Sequence, residues 1–414
     1  MRPDRRTLIL LGVGAVLWTA ALAFLLGSEQ NGLIDLRVYR TGGSAWLRGH
    51  DLYDPAFPYG LGPDLPFTYP PISAVLFAAL TVLPWWLAVA VVIGGSLAAL
   101  AWACRIAARR LGEQHRPAGW AALLAVGAVA AAPLTEPVRE TISFGQVNMV
   151  LAGLIAADCL LRRTPWPRGA LIGVAAAVKL TPAAFALYFV ARRQWRPAFV
   201  MVAAFAAVGL LGWALAPGDT RAYWFGVLLD PARIGGLEFT SNQSLRGLVA
   251  RFGLPDGVES VAWLGLSALV GVLALYGVAA LRRHGDDVAA LLVTATAALL
   301  VSPVSWSHHW VWVVLGLLWL ADRARRLRTR SSYAVLTVVL LVFATAPHWW
   351  LPYRGGAELE WNPAQHLLGN AYVWCGLATV LAAAVYAYRR RGADPDETGP
   401  YPAERPNLPS PSIG

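Results

Sequence analysis

The stretch TLILLGVGAVLWTAALAFLLG, residues 7–27, decides the class of fold because it contains no charged residue. A helix of about 20 residues, rising about 1.5 Å per residue, crosses a hydrocarbon core about 30 Å thick. The run is too long for the apolar region of a signal peptide, so we expect an uncleaved anchor. The chain has 414 residues, of which 57% are hydrophobic and 14% are charged. Together these features indicate an all-α polytopic membrane protein.

Clusters of basic residues separate the apolar runs and predict the topology. The formal net charge of +10 is divided among these clusters, which argues against a nucleic-acid-binding surface. Placing them on the cytoplasmic side, as the positive-inside rule requires, gives about twelve crossings with both termini inside. The clusters are RPDRR (2–6), RIAARR (105–110), RRTPWPR (162–168), RRQWR (192–196), RR (282–283), RARRLRTR (323–330) and RRR (389–391).

The predicted spans are 7–27, 72–107, 118–134, 146–161, 169–180, 182–191, 197–216, 258–281, 287–302, 309–321, 333–347 and 371–388. The run 72–107 is too long for one straight span, so we expect a bend at Pro84. A second break is expected at Pro182, and a broken helix at membrane depth is tolerated where it lines a protein cavity or water.

Two regions follow from this pattern. Residues 1–391 form one multi-span membrane domain with a long first outer loop, and residues 392–414 form a disordered, Pro-rich cytoplasmic tail. The three cysteines, Cys104, Cys159 and Cys375, lie in apolar segments and predict neither disulfides nor a metal site.

On this topology, most of the unusual polar residues fall at or near the outer face, which predicts one working surface there. They are Asp35 with its neighbours, GHDLYD (49–54), LPFTYPP (65–71), TEPVRETISFGQVN (135–148), Lys179, NQSL (242–245), SPVSWSHH (302–309) and APHWW (346–350).

Asp35 lies one or two helical turns beyond the first span, in the first outer loop. It is either a solvated interfacial acid or a general base whose pKa is raised by partial desolvation at the membrane surface. Asp51, Asp54 and Asp64 lie in the same loop, and position alone does not choose among the four.

Lys179 and the adjacent His308 and His309 are candidate ligands for a phosphate. Lys179 is the only lysine of the chain, and it either snorkels to the interface or binds phosphate as a point charge beside the Pro182 break. Neighbouring histidines on a helix point about 100° apart, so they do not form the i, i+4 pair of zinc proteases. They belong either to an interfacial aromatic belt or to a phosphate or sugar site.

We predict that six further polar residues bind substrate, and five of them have a second interpretation. Hydrogen bonding at helix ends explains the five amide and hydroxyl side chains equally well. The six are Tyr39, Gln146, Asn148, Asn242, Gln243 and Ser244.

Six motifs occur in an order that resembles one known family. They are DLRVYRTGGSAWLRGHDLYD (35–54), LPFTYPPISAVLFAALTVLP (65–84), FGQVNMVLAGL (144–154), GVAAAVKLTPAAFALYFVARRQWR (173–196), NQSLRGLVARF (242–252) and SPVSWSHHWVW (302–312). This series resembles the actinobacterial polyprenol-phosphate-mannose-dependent α-1,2-mannosyltransferases, glycosyltransferase family 87 of the GT-C membrane superfamily. The resemblance extends from the first span to about residue 385.

The resemblance implies an inverting enzyme at the outer face of the cytoplasmic membrane. Such enzymes transfer mannose from polyprenyl-phosphate mannose to a lipid-anchored glycan, such as a phosphatidylinositol mannoside or lipomannan. The catalytic base then falls on Asp35, and Lys179, His308 and His309 match positions around the donor phosphate. A single aspartate replaces the paired acids of some relatives, so we expect no metal and no cofactor. The expected partners are the lipid-linked donor, the glycan acceptor and membrane lipids, without nucleic acid.

Two alternatives remain at this stage. A broken helix with an ionisable residue is also typical of transporters and flippases, although no internal repeat supports that class. A related enzyme that transfers another lipid-linked sugar, such as arabinose or glucose, would share most of the same features.

Overall fold

The computed structural model describes residues 8–9, 12–20, 32–113 and 118–390. Within these ranges the chain is almost entirely helical, and the one strand-like feature is an isolated bridge between Asn242 and Trp306. Helix α1 comprises residues 12–20. The others are α2 (Ile34–Leu47), α3 (Pro71–Thr81), α4 (Trp85–Glu113), α5 (Ala118–Ala131), α6 (Glu136–Phe144), α7 (Asn148–Leu160), α8 (Ala170–Val178), α9 (Ala186–Ala191), α10 (Trp195–Leu215), α11 (Pro217–Phe225), α12 (Leu245–Ala250), α13 (Asp256–Arg283), α14 (Asp287–Val301), α15 (Val313–Leu327), α16 (Arg330–Thr345), α17 (Pro363–Gly369) and α18 (Ala371–Arg389).

Four described helices are long and apolar enough to cross a membrane, over Trp85–Gly112, Trp195–Leu215, Gly257–Arg283 and Ala371–Arg389. A fifth crossing is obtained if Gly119–Leu134 and Glu136–Phe144, which are bent by 71°, form one span. Helix α10 leaves Phe199 73% and Leu210 67% exposed, as expected for a helix that faces lipid. The protein is therefore a membrane protein, and the number of twelve crossings stays a prediction.

Several predicted spans correspond to shorter helices. The apolar helices over Pro71–Thr81, Asn148–Leu160, Thr181–Ala191, Asp287–Val301 and Arg330–Thr345 have 10–17 residues each. A straight helix of that length is shorter than a hydrocarbon core of about 30 Å. The predicted anchor at 7–27 and the tail at 392–414 lie largely or wholly outside the described residues.

Both predicted proline breaks are present. Helix α3 ends at Thr81 and α4 begins at Trp85, so the break falls at Pro84. Helix α8 ends at Val178, Lys179 adopts an extended conformation (φ −145°, ψ 122°), and a 3-10 helix follows over Thr181–Phe185. Proline removes a helical N–H and disfavours the helical conformation in the residue before it, which explains both breaks.

The predicted long first outer loop contains a helix, and Asp35 lies in the first turn of this helix, α2. Leu36, Tyr39 and Gly43 are buried at helical spacing and form the face that packs on α3. The close approach requires glycine at position 43, because a Cβ there would lie 2.7 Å from backbone atoms of Ala78. The start of α2 is fixed by a hydrogen bond from Leu33 N to Ser143 O at the end of α6.

Ion pairs and hydrogen bonds to two carboxylates connect helices on the predicted cytoplasmic side. Asp287, at the start of α14, accepts hydrogen bonds from Arg110 of α4 and Arg192 at the end of α9. The Asp158 carboxylate accepts from Trp166 Nε1 at 2.8 Å and from Ile172 N at 3.0 Å, which joins α7 to α8. These contacts lie among the arginine clusters and away from the polar cavity described next.

Candidate active site

A cavity of about 1090 Å³ lies between the start of α2, the end of α6, the break after α8 and the 3-10 helix Ser307–Trp312. Its wall combines charged and amide side chains with aromatic rings and aliphatic residues of α14. Among the predicted site residues, Asp35, Gln146, Lys179, His308 and His309 line it. These five residues come from four segments that are far apart in sequence, and they therefore share one cavity only because of the fold.

Asp35 is half-buried at the cavity wall, where desolvation raises the pKa of its carboxyl from 3.8 to about 6. A hydrogen bond from the Gln146 side chain and the positive charge of Lys179 oppose the rise. The rival acids Asp51, Asp54 and Asp64 are exposed and do not line this cavity. The structure thus separates Asp35 from the three acids that the sequence left equivalent.

Gln146 is oriented by two tyrosines, Tyr39 behind the cavity wall and Tyr69 at the wall. Its Oε1 accepts a hydrogen bond from the Tyr39 hydroxyl at 2.8 Å, and that hydroxyl also lies 3.1 Å from the hydroxyl of Tyr69. With Oε1 engaged, the amide nitrogen is left to donate to Asp35. Tyr39 is fully buried and does not line the cavity, so its place is behind Gln146 and not in direct contact with a ligand.

Lys179 is held by two side chains next to the cavity. Its Nζ donates to Asn148 Oδ1 at 2.9 Å and lies 3.2 Å from His309 Nε2. An ammonium group has no lone pair, so Lys179 donates and His309 Nε2 accepts, which leaves the proton of a neutral His309 on Nδ1. Asn148 does not line this cavity but lines a smaller one beside it; it positions Lys179 and donates to the backbone oxygen of His308 at 3.1 Å.

The His308 ring is buried at the cavity wall, between Phe144 and His309. Its centroid lies 5.0 Å from that of Phe144 and 4.7 Å from that of His309. Among the described residues, neither ring nitrogen has a hydrogen-bond partner. Buried polar atoms are normally satisfied, so two unpartnered nitrogens at the cavity wall mark His308 as a candidate ligand-binding side chain.

Asn242, Gln243 and Ser244 do not line the cavity, and the expectation that they bind substrate stays a prediction. All three are fully buried and bind the backbone. Asn242 donates to Leu237 O and Pro303 O, and Gln243 donates to Thr240 O and Gly369 O. Ser244 caps α12 by accepting from Gly247 N. In these roles they shape the loop that carries cavity residues.

The same loop is organised by a buried arginine that the sequence did not single out. Arg251, with no exposed side-chain surface, donates to the backbone oxygens of Glu238, Phe239, Thr240 and Asn242. Its Nη1 also donates to Asn370 Oδ1 at 2.5 Å. A guanidinium with five donors suits a loop that turns several carbonyl groups inward.

Glu140, Asp230 and Arg233 also line the cavity and were missed as individual residues. Glu140 lies within the quoted motif TEPVRETISFGQVN, but that motif offers two glutamates and no means of choosing between them. Arg233 donates to Tyr53 O at 3.2 Å.

In the part of the chain that the structure describes, no group of three His, Cys, Asp or Glu residues is arranged to hold a metal ion. The expectation of a reaction without metal stays a prediction.

Comparison with known proteins assigns the family. The model for glycosyltransferase family 87 matches residues 67–303. The chain belongs to glycosyltransferase family 87. It is therefore an enzyme of the membrane glycosyltransferases, and membership favours transfer chemistry over the transporter alternative.

Relatives in this family are similar over most of their length. A polyprenol-phosphate-mannose-dependent alpha-(1-2)-phosphatidylinositol mannoside mannosyltransferase of Mycolicibacterium smegmatis is 39% identical over 95% of this chain and 92% of its own. The Mycobacterium tuberculosis protein of the same name is 35% identical over 84% of both chains. A Mycobacterium tuberculosis phosphatidylinositol pentamannoside mannosyltransferase is 37% identical over 83% of this chain and 80% of its own.

Proposed function

We propose that this family 87 glycosyltransferase transfers mannose from polyprenyl-phosphate mannose to a lipid-anchored glycan of the phosphatidylinositol mannoside or lipomannan type. The transfer inverts the anomeric centre and takes place at the outer face of the cytoplasmic membrane. The observation that carries the proposal is that Asp35 and the Lys179–His309 pair line one cavity. The names of the relatives support mannose as the sugar and a phosphatidylinositol mannoside as the acceptor.

Asp35 is the base in this mechanism. Its carboxylate takes the proton of the acceptor hydroxyl as that oxygen attacks the anomeric carbon, on the face opposite the phosphate. The bond from the anomeric carbon to the phosphate oxygen breaks, and its electron pair leaves with the polyprenyl phosphate. A base with a pKa of about 6 is charged at neutral pH, yet it binds a proton more readily than an ordinary aspartate.

Lys179 stabilises the negative charge that develops on the leaving phosphate. Two of its three protons are directed to Asn148 and His309, and the third remains for a phosphate oxygen. The unpartnered ring of His308 lies at the same wall and donates a further hydrogen bond. Preorganised donors of this kind are effective because they do not reorient during the reaction.

The remaining predicted site residues act behind the cavity wall. Tyr39 fixes the Gln146 amide that binds Asp35, and Asn148 fixes Lys179. Asn242, Gln243 and Ser244 hold the loop that carries Ser241 into the wall.

The polyprenyl chain of the donor approaches along apolar surface beside Lys179. A smaller cavity of about 50 Å³ shares Lys179 and His309 with the large one. Its other lining residues are mostly apolar and include Phe185, Leu299 and Trp312. This arrangement keeps the phosphate at the polar wall while the hydrocarbon stays in a nonpolar environment.

The direct test is transfer in membranes that contain the protein and radiolabelled polyprenyl-phosphate mannose. We expect label in a mannolipid product, with little product when the donor carries glucose or arabinose. Label that crosses sealed vesicles without covalent transfer would contradict the proposal. Transfer from only the glucose or arabinose donor would agree with the family assignment but contradict mannose as the transferred sugar.

A further inference from the structure

A buried carboxylate behind the cavity wall is not used by the mechanism above. Glu136, at the start of α6, is 3% exposed and accepts three hydrogen bonds from side chains. Its Oε1 accepts from Ser307 Oγ at 2.6 Å and from Trp349 Nε1 at 2.9 Å, and its Oε2 pairs with the Tyr372 hydroxyl at 2.9 Å. Ser307 connects this carboxylate to the cavity.

The direction of the hydrogen bond between Ser307 and Glu136 is fixed. An indole N–H only donates, so Trp349 requires Oε1 of Glu136 to be an acceptor. Oε1 only accepts when Glu136 is a carboxylate, and also when a proton sits on Oε2, because Oε1 then carries no proton. Ser307 therefore donates its only hydroxyl proton to Oε1.

Ser241 is next in the chain of hydroxyls. Its Oγ lies 3.1 Å from Ser307 Oγ and accepts from Ser307 N at 3.2 Å. The Ser307 proton is already given to Glu136, so Ser241 must be the donor between the two hydroxyls. A hydroxyl has one proton and two lone pairs. These two contacts use the Ser241 proton and one lone pair, and one lone pair is left.

Ser241 lines the large cavity, and among the described residues no partner occupies that lone pair. We infer that Ser241 is a specificity-determining residue that accepts a hydrogen bond from a sugar hydroxyl of the substrate, with Ser307 and Glu136 as positioning residues. The inference rests on the proposed function, because it takes a sugar to be the ligand. The hydroxyl belongs either to the donor mannose or to the acceptor sugar.

Ser241 differs from the other polar groups of the wall in the direction of the hydrogen bond that it offers to a ligand. Lys179 donates to a ligand, which suits the oxygens of a phosphate, whereas Ser241 only accepts and does not pair with such oxygens. A lone acceptor selects a ligand group that carries a proton. The same cavity thus offers separate contacts for phosphate and for sugar.

Fluorine substitution tests the direction of this hydrogen bond. Two panels of substrates are compared, short-chain prenyl-phosphate mannose donors and alkyl mannoside acceptors. Each analogue has one hydroxyl, other than the attacking hydroxyl of the acceptor, replaced by hydrogen or by fluorine. Fluorine does not donate, so at one position we expect both analogues to lower kcat/KM by about tenfold. The panel that contains this position identifies the source of the hydroxyl. In Ser241→Ala, parent and analogues should react alike at that position.

Ser307→Ala tests the relay, by which we mean the hydrogen bonds that run from Ser241 through Ser307 to Glu136. Without the Ser307 hydroxyl, the Ser241 proton is free to turn towards the cavity, so the fluorine analogue should regain activity while the hydrogen analogue stays poor. Ser302→Ala is the matched control: Ser302 also lines the cavity, but it donates to Val304 O and lies outside the relay, so the wild-type pattern should persist.

Three results would overturn the inference. The first is a fluorine analogue that reacts as fast as the parent substrate with the wild type at each position tested. The second is a difference between parent and analogues that survives in Ser241→Ala, and the third is a Ser307→Ala enzyme that ranks the analogues as the wild type does. Failure of the proposed function gives a different result, because the wild type then transfers no mannose to any acceptor.

Discussion

Asp35 owes its candidate role to its surroundings, which no local pattern encodes. Four aspartates occur between residues 35 and 64, and one of them is drawn into the cavity by packing of α2. Burial raises its pKa, and the two partners that oppose the rise, Gln146 and Lys179, are more than a hundred residues away in sequence. Sequence reasoning reached Asp35 through the family resemblance, and burial supplies the physical reason for preferring it.

The raised pKa of Asp35 predicts an acid limb in the pH dependence of transfer. A general base acts when it is deprotonated, so log kcat/KM should fall below about pH 6. If the pKa of the carboxyl were that of an ordinary aspartate, log kcat/KM would instead stay level down to about pH 4. In Gln146→Leu, the hydrogen bond that lowers the pKa is lost, and the limb should move to higher pH. Initial rates between pH 4.5 and 8 measure both limbs, with Asp64→Asn as the unshifted control. A wild-type kcat/KM that stays level down to the acid end of this range would contradict the assignment.

The amide residues show where residue-level reasoning ends. Gln146 and Gln243 look equally suited to bind a sugar, but one faces the cavity and the other donates to Thr240 O and Gly369 O. Buried loops need such donors because their carbonyl groups have no helical partners. A side chain that satisfies the backbone and one that binds a ligand have the same chemistry, so only the fold separates them.

At the scale of elements, the proline breaks were predictable and helix α2 was not. Pro84 and Pro182 act through their own ring and missing N–H, so a local rule suffices. Helix α2 contains Gly42, Gly43 and polar residues, and its stability comes from packing on α3 and Phe67. Short helices with weak intrinsic preference depend on such tertiary contacts.

Gly43→Ala tests whether the docking of α2 positions the site. A Cβ at position 43 would lie 2.7 Å from backbone atoms of Ala78, so α2 must shift away from α3. We expect a loss of about 1–3 kcal/mol of stability and a marked loss of kcat, since the shift moves Asp35. Thermal unfolding in detergent and transfer assays measure the two effects.

Gly94→Ala is the matched control for this prediction. Gly94 lies in α4 with no atom within 4 Å of the added Cβ, so stability and transfer should be retained. Equal behaviour of the two variants would show that the contact between α2 and α3 does not position the site.

At the scale of the whole molecule, the arginine clusters predict which end of the bundle faces the cytoplasm. The cavity lies at the opposite end from the Asp287 pairs with Arg110 and Arg192, as a site at the outer face requires. Membrane character and helical class follow from composition alone. The count of spans does not, because broken and short apolar helices have the same hydropathy as full crossings.

Labelling of single cysteines tests the orientation. Asp64 is exposed in the predicted outer loop, and Arg163 is exposed in a predicted cytoplasmic cluster. In a Cys375→Ala background, a membrane-impermeant maleimide added to intact cells should label Asp64→Cys and spare Arg163→Cys until the cells are opened. The reverse pattern would place the active site in the cytoplasm.

The central claim is that one cavity brings a base at Asp35 to a phosphate held at Lys179. The most direct measurement is the rate of mannose transfer from polyprenyl-phosphate mannose by Asp35→Asn, in membranes with matched protein levels. We expect a loss of about 10² to 10⁴ in rate, because asparagine is nearly isosteric but takes no proton. Asp64→Asn should retain the wild-type rate. Equal rates for Asp35→Asn and the wild type would contradict the account.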